Sequence, residues 1–361
     1  MSFCLRYIGL VYGMILFFGV QNPVSGQSCS VQSPILTGWV QYDELDEISG
    51  LAISRKNPGV IWVHNDKGGR ACVYAIRPDG RLLGIYELYD VNDRDYEDIA
   101  IGPGPANGVD YLYVGNIGDN DEEYATLDIY RVAEPTVDPN QPPQEYLLTE
   151  VDRIKVDFPE GSRDCEALMV DTNGDLYLAT KLRQPTEIYR SPYPQSTERK
   201  NTLQLVALVD LTWQVPDNEN FRGATGGDIS ASGGKIALRG SWTAYLWQRN
   251  EGQTVAEAMA GPACEIPLPP YENQGEAIGF DPTGQEYFTL SEGWGQPIYH
   301  FRFSARADLT GDGWVDLEDL AVISSQWLRS QCFACNGADL TGDGSVSLSD
   351  VIDWIPDWMT E

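Results

Sequence analysis

Between residues 27 and 304 short apolar runs alternate with polar joints rich in Gly and Pro, and long helical periodicity is almost absent. Such spacing predicts short strands joined by turns. Five of the runs are variants of one stretch: Glu47-Ile-Ser-Gly-Leu-Ala-Ile-Ser, Asp95-Tyr-Glu-Asp-Ile-Ala-Ile-Gly, Asp164-Cys-Glu-Ala-Leu-Met-Val-Asp, Thr225-Gly-Gly-Asp-Ile-Ser-Ala-Ser and Gln274-Gly-Glu-Ala-Ile-Gly-Phe-Asp. Each is an apolar run entered through a polar, usually acidic, segment.

Every copy is followed by two further strand-like runs. The second runs are 60–64, 111–115, 175–180, 235–239 and 286–291, and the third are 72–76, 127–131, 187–190, 244–248 and 297–301. Fourth runs stand at 82–88, 146–157, 203–211 and around 264–268. Antiparallel strands in groups of four, repeated, describe a β-propeller. The count is five blades, and six stays open because 211–225 is long and unassigned. A β-sandwich would not explain the repeat. The last blade lacks an outer strand of its own, and residues 34–41 are placed to supply it, closing the ring and removing an exposed edge.

A different pattern begins near residue 305. Asp308-Leu-Thr-Gly-Asp-Gly-Trp-Val-Asp-Leu-Glu-Asp319 carries oxygen side chains at loop positions 1, 3, 5, 9 and 12, with Gly313 at the sharp turn. This is the spacing of an EF-hand calcium loop, with Asp in the last place. Asp339 to Asp350 repeats it. Each loop leads into an apolar-patterned helix, the second interrupted at Pro356. The expected calcium ligands are Asp308, Thr310, Asp312, Trp314 (through its carbonyl), Asp316 and Asp319, and then Asp339, Thr341, Asp343, Ser345 (through its carbonyl), Ser347 and Asp350. Ser347 makes the second loop the weaker one.

Charge narrows the partners. The 361 residues carry a formal net charge of −30 and a pI near 4.2. Such a surface repels nucleic acid and anionic membranes. Residues 1–26 read as a secretory signal: Arg6, an apolar stretch at 7–20, then Val24-Ser25-Gly26 before the cleavage point. The expected mature chain is a propeller at 27–304 and a small domain at 305–361, exported to the medium or the cell surface, with no membrane insertion. In that setting cysteines can pair. Cys29 and Cys264 are placed to tie the N-terminal segment to a late strand, Cys332 and Cys335 to close a small loop, while Cys72 and Cys165 read as buried apolar residues.

In a propeller the first strand of each blade lines the channel, and its start opens on the same face as the loop after the second strand. That mouth is expected to gather Glu47, Asp95, Glu97, Asp98, Asp164, Glu166, Asp228 and Glu276, with His64, Asn65, Asp66, Asn116, Asp119, Asn120, Lys181, Arg239 and Glu292 from the loops. Three roles compete. The acids can lock blades together by accepting backbone amides; they can hold a hard cation such as calcium; or a pair can run acid–base chemistry, as glycoside hydrolysis requires. Glu97, Glu166 and Glu276 are the catalytic candidates. Asp66, Asp95, Asp98, Asn116, Asp119, Asp164, Lys181, Asp228, Arg239 and Glu292 are candidates for ligand binding. With two histidines in the chain, a His-rich metal centre is excluded, and no G-x-S-x-G, P-loop or dinucleotide fingerprint appears.

The motifs I-S-G-L…H-N-D, E-D-I-A-x-G-P-G…Y-L-Y-V-G-x-I-G-D-N, E-A-L-x-V-D, G-G-D-I-S and Q-G-E-A-I…L-S-E-G resemble a family of exported bacterial propeller proteins of uncertain activity, over about residues 29–301. The paired loops with exiting helices resemble a type I dockerin module. That resemblance implies calcium-dependent folding, docking onto a cohesin-like protein module, and a polysaccharide-related context in which a glycan is the ligand. An enzyme of this kind would be a hydrolase of O-glycosyl bonds; a non-catalytic binding or structural propeller is the other expectation.

Overall fold

The computed structural model describes residues 27–359 apart from 68, 93, 141, 182, 212–222, 271, 273, 305–306, 311–313, 331–337 and 342–344. The expected signal peptide, Asp312, Asp343, Cys332 and Cys335 therefore lie outside the described residues.

Two strands precede the first blade, β1 (Gln27–Ser28) and β2 (Ile35–Trp39). Blade one is β3 (Ile48–Ile53), β4 (Ile61–Asn65), β5 (Cys72–Ile76) and β6 (Leu82–Leu88). Blade two is β7 (Asp98–Pro103), β8 (Asp110–Asn116) and β9 (Leu127–Ala133), then β10 (Gln144–Leu148) and its own outer strand β11 (Asp152–Asp157). Blade three holds β12 (Cys165–Val170), β13 (Leu176–Thr180), β14 (Thr186–Ser191), the two-residue β15 (Asn201–Thr202) and β16 (Gln204–Val209). Blade four is β17 (Gly226–Ile229), β18 (Lys235–Arg239), β19 (Ala244–Gln248), a short helix α1 (Val255–Met259) and β20 (Cys264–Ile266). Blade five is β21 (Gly275–Phe280), β22 (Glu286–Ser291) and β23 (Pro297–Arg302), completed by β2 from the start of the chain. The protein is a five-bladed β-propeller.

The ring closes because β3, β7, β12, β17 and β21 contact one another in turn, and β21 returns to β3. Their side chains are buried on both faces. Alternate residues serve alternate interfaces: Leu51 packs toward blade five with Ala277 and Leu290, while its neighbour Ala52 packs toward blade two with Ile99 and Leu112. One apolar cluster fills each of the five gaps between blades. Space at the centre is short. A Cβ at Gly102 would lie 2.4 Å from Val170 Cγ1, and one at Gly279 would lie 2.6 Å from Leu51 Cδ1. Glycine at these places lets adjacent inner strands approach.

Two details depart from the strand pattern. The run 146–157 is not one outer strand. It breaks into β10, which pairs in parallel with β6 of blade one, and β11, which pairs with β9. Likewise β15 pairs in parallel with β11, and β1 with β20. Three outer edges are thus covered by a neighbouring segment, which removes exposed edge amides. The expected closure by residues 34–41 takes the form of β2 antiparallel to β23. Cys29 and Cys264 form a disulfide beside the β1–β20 pair, and Cys72 and Cys165 are free and buried.

Beyond residue 306 a separate apolar cluster gathers Ala307, Val315, Ile323, Ala338, Leu340, Val346 and Trp354. It is built on α2 (Leu317–Ser325), α3 (Leu348–Trp354) and a 3-10 turn at Ile355–Asp357 that carries Pro356. Leu317 and Leu328, at either end of the first helical segment, are 68% and 75% exposed, and Asp319 and Ile323 are the buried residues of α2.

Candidate functional site

The acids of the mouth divide into two kinds. Asp98 and Asp228 point into the ring wall. Asp98 Oδ1 accepts the amide of Ile99, and Oδ2 accepts the amides of Leu168 in blade three and Gly227 in blade four, at 2.8 and 3.2 Å. Asp228 accepts the amides of Ile229 and, in blade five, Phe280, each at 2.8 Å. These carboxylates tie strands that share no ladder. Burial pushes Asp98 well above the carboxylate range and Asp228 up to about 6, although the amides oppose it.

Glu97, Glu166 and Glu276 are placed differently. Glu166 is the extra residue where β12 slips register between Cys165 and Ala167, and Glu276 occupies the same place in β21 between Gly275 and Ala277. In blade two the amide of Glu97 donates to the carbonyl of Gly115, the residue that also pairs with Asp98. Each glutamate thus sits on a bulge, which turns its side chain out of the ladder. All three are buried. Burial raises Glu97, with the charges of Glu166, Asp66 and Asp95 adding to it. Burial also raises Glu166, against the opposing charge of Lys181. Glu276 is pushed up to about 7 by burial and by Glu292.

Around Glu97 and Glu166 the side chains converge. Asp66, Asp95 and Glu97 offer oxygens within 4.8 Å of one another, and so do Glu97, Asp164 and Glu166. Three of these carboxylates share one pattern. Asp164 Oδ1 accepts the amide of Asp119, while Oδ2 is buried without a hydrogen-bond partner. Glu166 Oε1 pairs with Lys181, while Oε2 is buried without one. Asp66 Oδ2 faces Lys67 at 3.5 Å, while Oδ1 is buried without one. One oxygen is anchored and the other is left over. An orphaned carboxylate oxygen is costly; a proton relieves it, the direction in which burial pushes Asp66, Glu97, Asp164 and Glu166, and so does a hard cation held by oxygens. Gly118 lies against the group: a Cβ there would come within 2.1 Å of Glu97 Oε1 and 2.5 Å of Asp95 Oδ2.

Other candidates shape the mouth without facing it in the same way. Asn116 braces the preceding loop, accepting the amide of Asp95 and donating to the carbonyl of Asn92. Asp119 accepts the amides of Glu123 and Tyr124. Arg239 is fully buried, donating to the carbonyls of Gly240, Ser241 and Ala277 and pairing with Glu272 at 2.9 Å. Glu292 accepts from Gln274. His64 is fully buried and held neutral, its pKa pushed down to about 4 by burial. Lys67, Gly118 and Glu272 escaped the sequence reading. Lys67 directly follows Asp66, and Gly118 lies in the I-G-D-N motif, so both stood beside noted residues.

In the C-terminal loops the described residues converge as well. Asp319 Oδ1 accepts the amides of Leu309 and Thr310, and its Oδ2 accepts the amide of Asp316. Thr310 Oγ1 lies 3.5 Å from Asp308 Oδ1. In the second loop Thr341 Oγ1 lies 3.4 Å from Asp339 Oδ1 and 3.1 Å from Asp350 Oδ1, and Asp350 Oδ2 accepts the amide of Ser347. Asp316 and Ser347 also cap α2 and α3. Positions 1, 3 and 12 of each loop are thus linked to one another by hydrogen bonds, and a calcium ion there would be held by oxygens alone.

No protein-family model matches the chain, and a search of curated proteins returns no match.

Proposed function

We propose that this is an exported ligand-binding propeller that takes its ligand at the mouth through a divalent cation, and that its C-terminal calcium loops tether it to an extracellular assembly. One observation carries the reading of the mouth: Asp66, Asp164 and Glu166 each keep a buried oxygen unengaged, whereas Asp98 and Asp228 are fully bonded to backbone. A cation there would be held by Asp66, Asp95, Glu97, Asp164 and Glu166, and would present open coordination positions to a ligand oxygen. A glycan is the ligand class that the dockerin resemblance favours. Trp294, 70% exposed, lies on a loop after a second strand, at the mouth end of the blades, where an aromatic face suits a sugar ring.

The tether reading draws on the repeated loops and on the apolar residues that follow them. Leu317 and Leu348, at equivalent loop positions, are 68% and 64% exposed, and Ile352 and Ile355 are 57% exposed. Apolar side chains displayed in register on two helices suit a protein partner, here a cohesin-like module.

A hydrolase that uses Glu97 and Glu166 as its carboxylate pair is the second reading. It is favoured by the contrast between Glu166, beside Lys181, and Glu97, among acids. The deciding experiment is a glycan and phosphoester screen of the full chain with calcium and with chelator, reading binding and turnover separately. Calcium-dependent binding without turnover supports the proposal. Turnover that persists in chelator favours the carboxylate pair, and no binding under either condition overturns the mouth as a ligand site.

A further inference from the structure

We infer that the mouth seats two divalent cations that share Glu97, and that the filled pair receives an oxyanion group of the ligand. This rests on the cation-dependent mouth proposed above and goes one step further. Two oxygens bound to one calcium lie at most about 5 Å apart, twice the usual metal–oxygen distance. Asp66, Asp95 and Glu97 meet that limit, and Glu97, Asp164 and Glu166 meet it, but the five do not form one such set. A single ion would leave part of the cluster out of reach. Two ions, one in each triad, use every carboxylate and make Glu97 the bridge.

The unengaged oxygens fall on both sides of Glu97. Asp164 and Glu166, each 3% exposed, supply Oδ2 and Oε2 to one triad, and Asp66 supplies Oδ1 to the other. The opposite oxygens are held by the amide of Asp119, by Lys181 and by Lys67, so each carboxylate is already oriented. Gly118, against Glu97 and Asp95, leaves room that a side chain would fill.

The ions then select the ligand. The five carboxylates of the triads face two ammonium groups, those of Lys67 and Lys181, and Glu276 and Glu292 act on the same groups, an excess of five negative charges when all are ionised. One divalent ion leaves the mouth strongly negative, whereas two bring it within one charge of neutral. Two adjacent ions with open coordination positions then take up an oxyanion such as a phosphoryl, sulfate or carboxylate group.

The test uses the full chain loaded with Mn2+, read by electron paramagnetic resonance and by anomalous scattering from crystals, with inorganic phosphate as the probe anion. Two manganese ions in the mouth with an exchange-coupled spectrum are expected, together with phosphate binding that requires the metal. Glu97→Gln should abolish the coupling and weaken manganese at the mouth by about tenfold or more. Gly118→Ala should do the same without altering a ligand. Ions held by the C-terminal loops share no carboxylate with the mouth and remain unchanged in both variants. One uncoupled ion in the mouth overturns the two-ion inference and leaves the cation-dependent mouth standing. No ion in the mouth overturns both. Two ions without phosphate binding overturn the oxyanion assignment.

Discussion

Asp98 Oδ2 in blade two accepts the main-chain amide of Leu168 in blade three at 2.8 Å, while the adjacent Glu97 turns toward the channel mouth. Neighbouring acids on one strand therefore do opposite things, one closing the ring and the other furnishing its site. The same oxygen of Asp98 also takes the amide of Gly227 in blade four. Asp98→Asn presents an NH2 where these amides need an acceptor, whichever way the amide turns one side loses its bond. The expected loss is about 2–4 kcal/mol, measured by urea denaturation, with no effect on manganese binding at the mouth beyond that of stability. A variant as stable as the parent would show that the inter-blade bonds are dispensable.

Asp228 gives a pH signature. Its folded pKa stands near 6 against an ordinary value of 3.8, burial being the main cause. Between these values the folded chain keeps a proton that the unfolded chain releases. Stability therefore falls as pH rises from about 4 to about 6 and levels above that. The full effect is about 3 kcal/mol. Asp228→Asn carries a constant penalty for its altered hydrogen bonds but lacks this slope. The stability of the variant relative to the parent should thus improve as pH rises through the window. A pH-independent difference would refute the assignment.

The disulfide Cys29–Cys264 closes a loop of 235 residues across the β1–β20 junction. Restricting so long a loop in the unfolded chain gives about 2–5 kcal/mol. The double change Cys29→Ser with Cys264→Ser should lower the denaturation midpoint accordingly and expose the outer edge of blade four first. Hydrogen exchange of the amides of β20 is the direct readout.

For the C-terminal loops, chelation of calcium should release the exchange protection of α2 and α3 in the full chain while leaving the propeller strands unchanged. Asp319→Asn keeps only one oxygen for the amides and the metal, and should unprotect α2 even in calcium. Protection that survives both treatments would separate these helices from any metal.

Much of the architecture was legible because its determinants are local. Alternating apolar residues, turn signals and the repeat of one motif mark the inner, second and third strands of all five blades, and the missing fourth strand of blade five pointed to the N-terminal segment. The splitting of 146–157 was not legible. The parallel pairing of β10 with β6 joins segments distant in sequence, and nothing within the run announces it. The mouth was half legible. Its acids were found, but Asp98, Asp228 and Arg239 could not be told from Glu97 and Glu166, since all are polar residues at the ends of strands.

By itself the sequence determined the periodic burial, the closure of the ring and the congregation of acids at one end of it, because these follow from the two-residue period of a strand and from repetition. Only the tertiary structure decided which acids are bonded and which are left over. For Glu97 and Asp98 that choice depends on the doubled pairing at Gly115, which turns one side chain out of the ladder and leaves its neighbour facing the amides of the next blade, while single-residue bulges turn out Glu166 and Glu276. A shift of one residue reverses the two roles, and composition is blind to it.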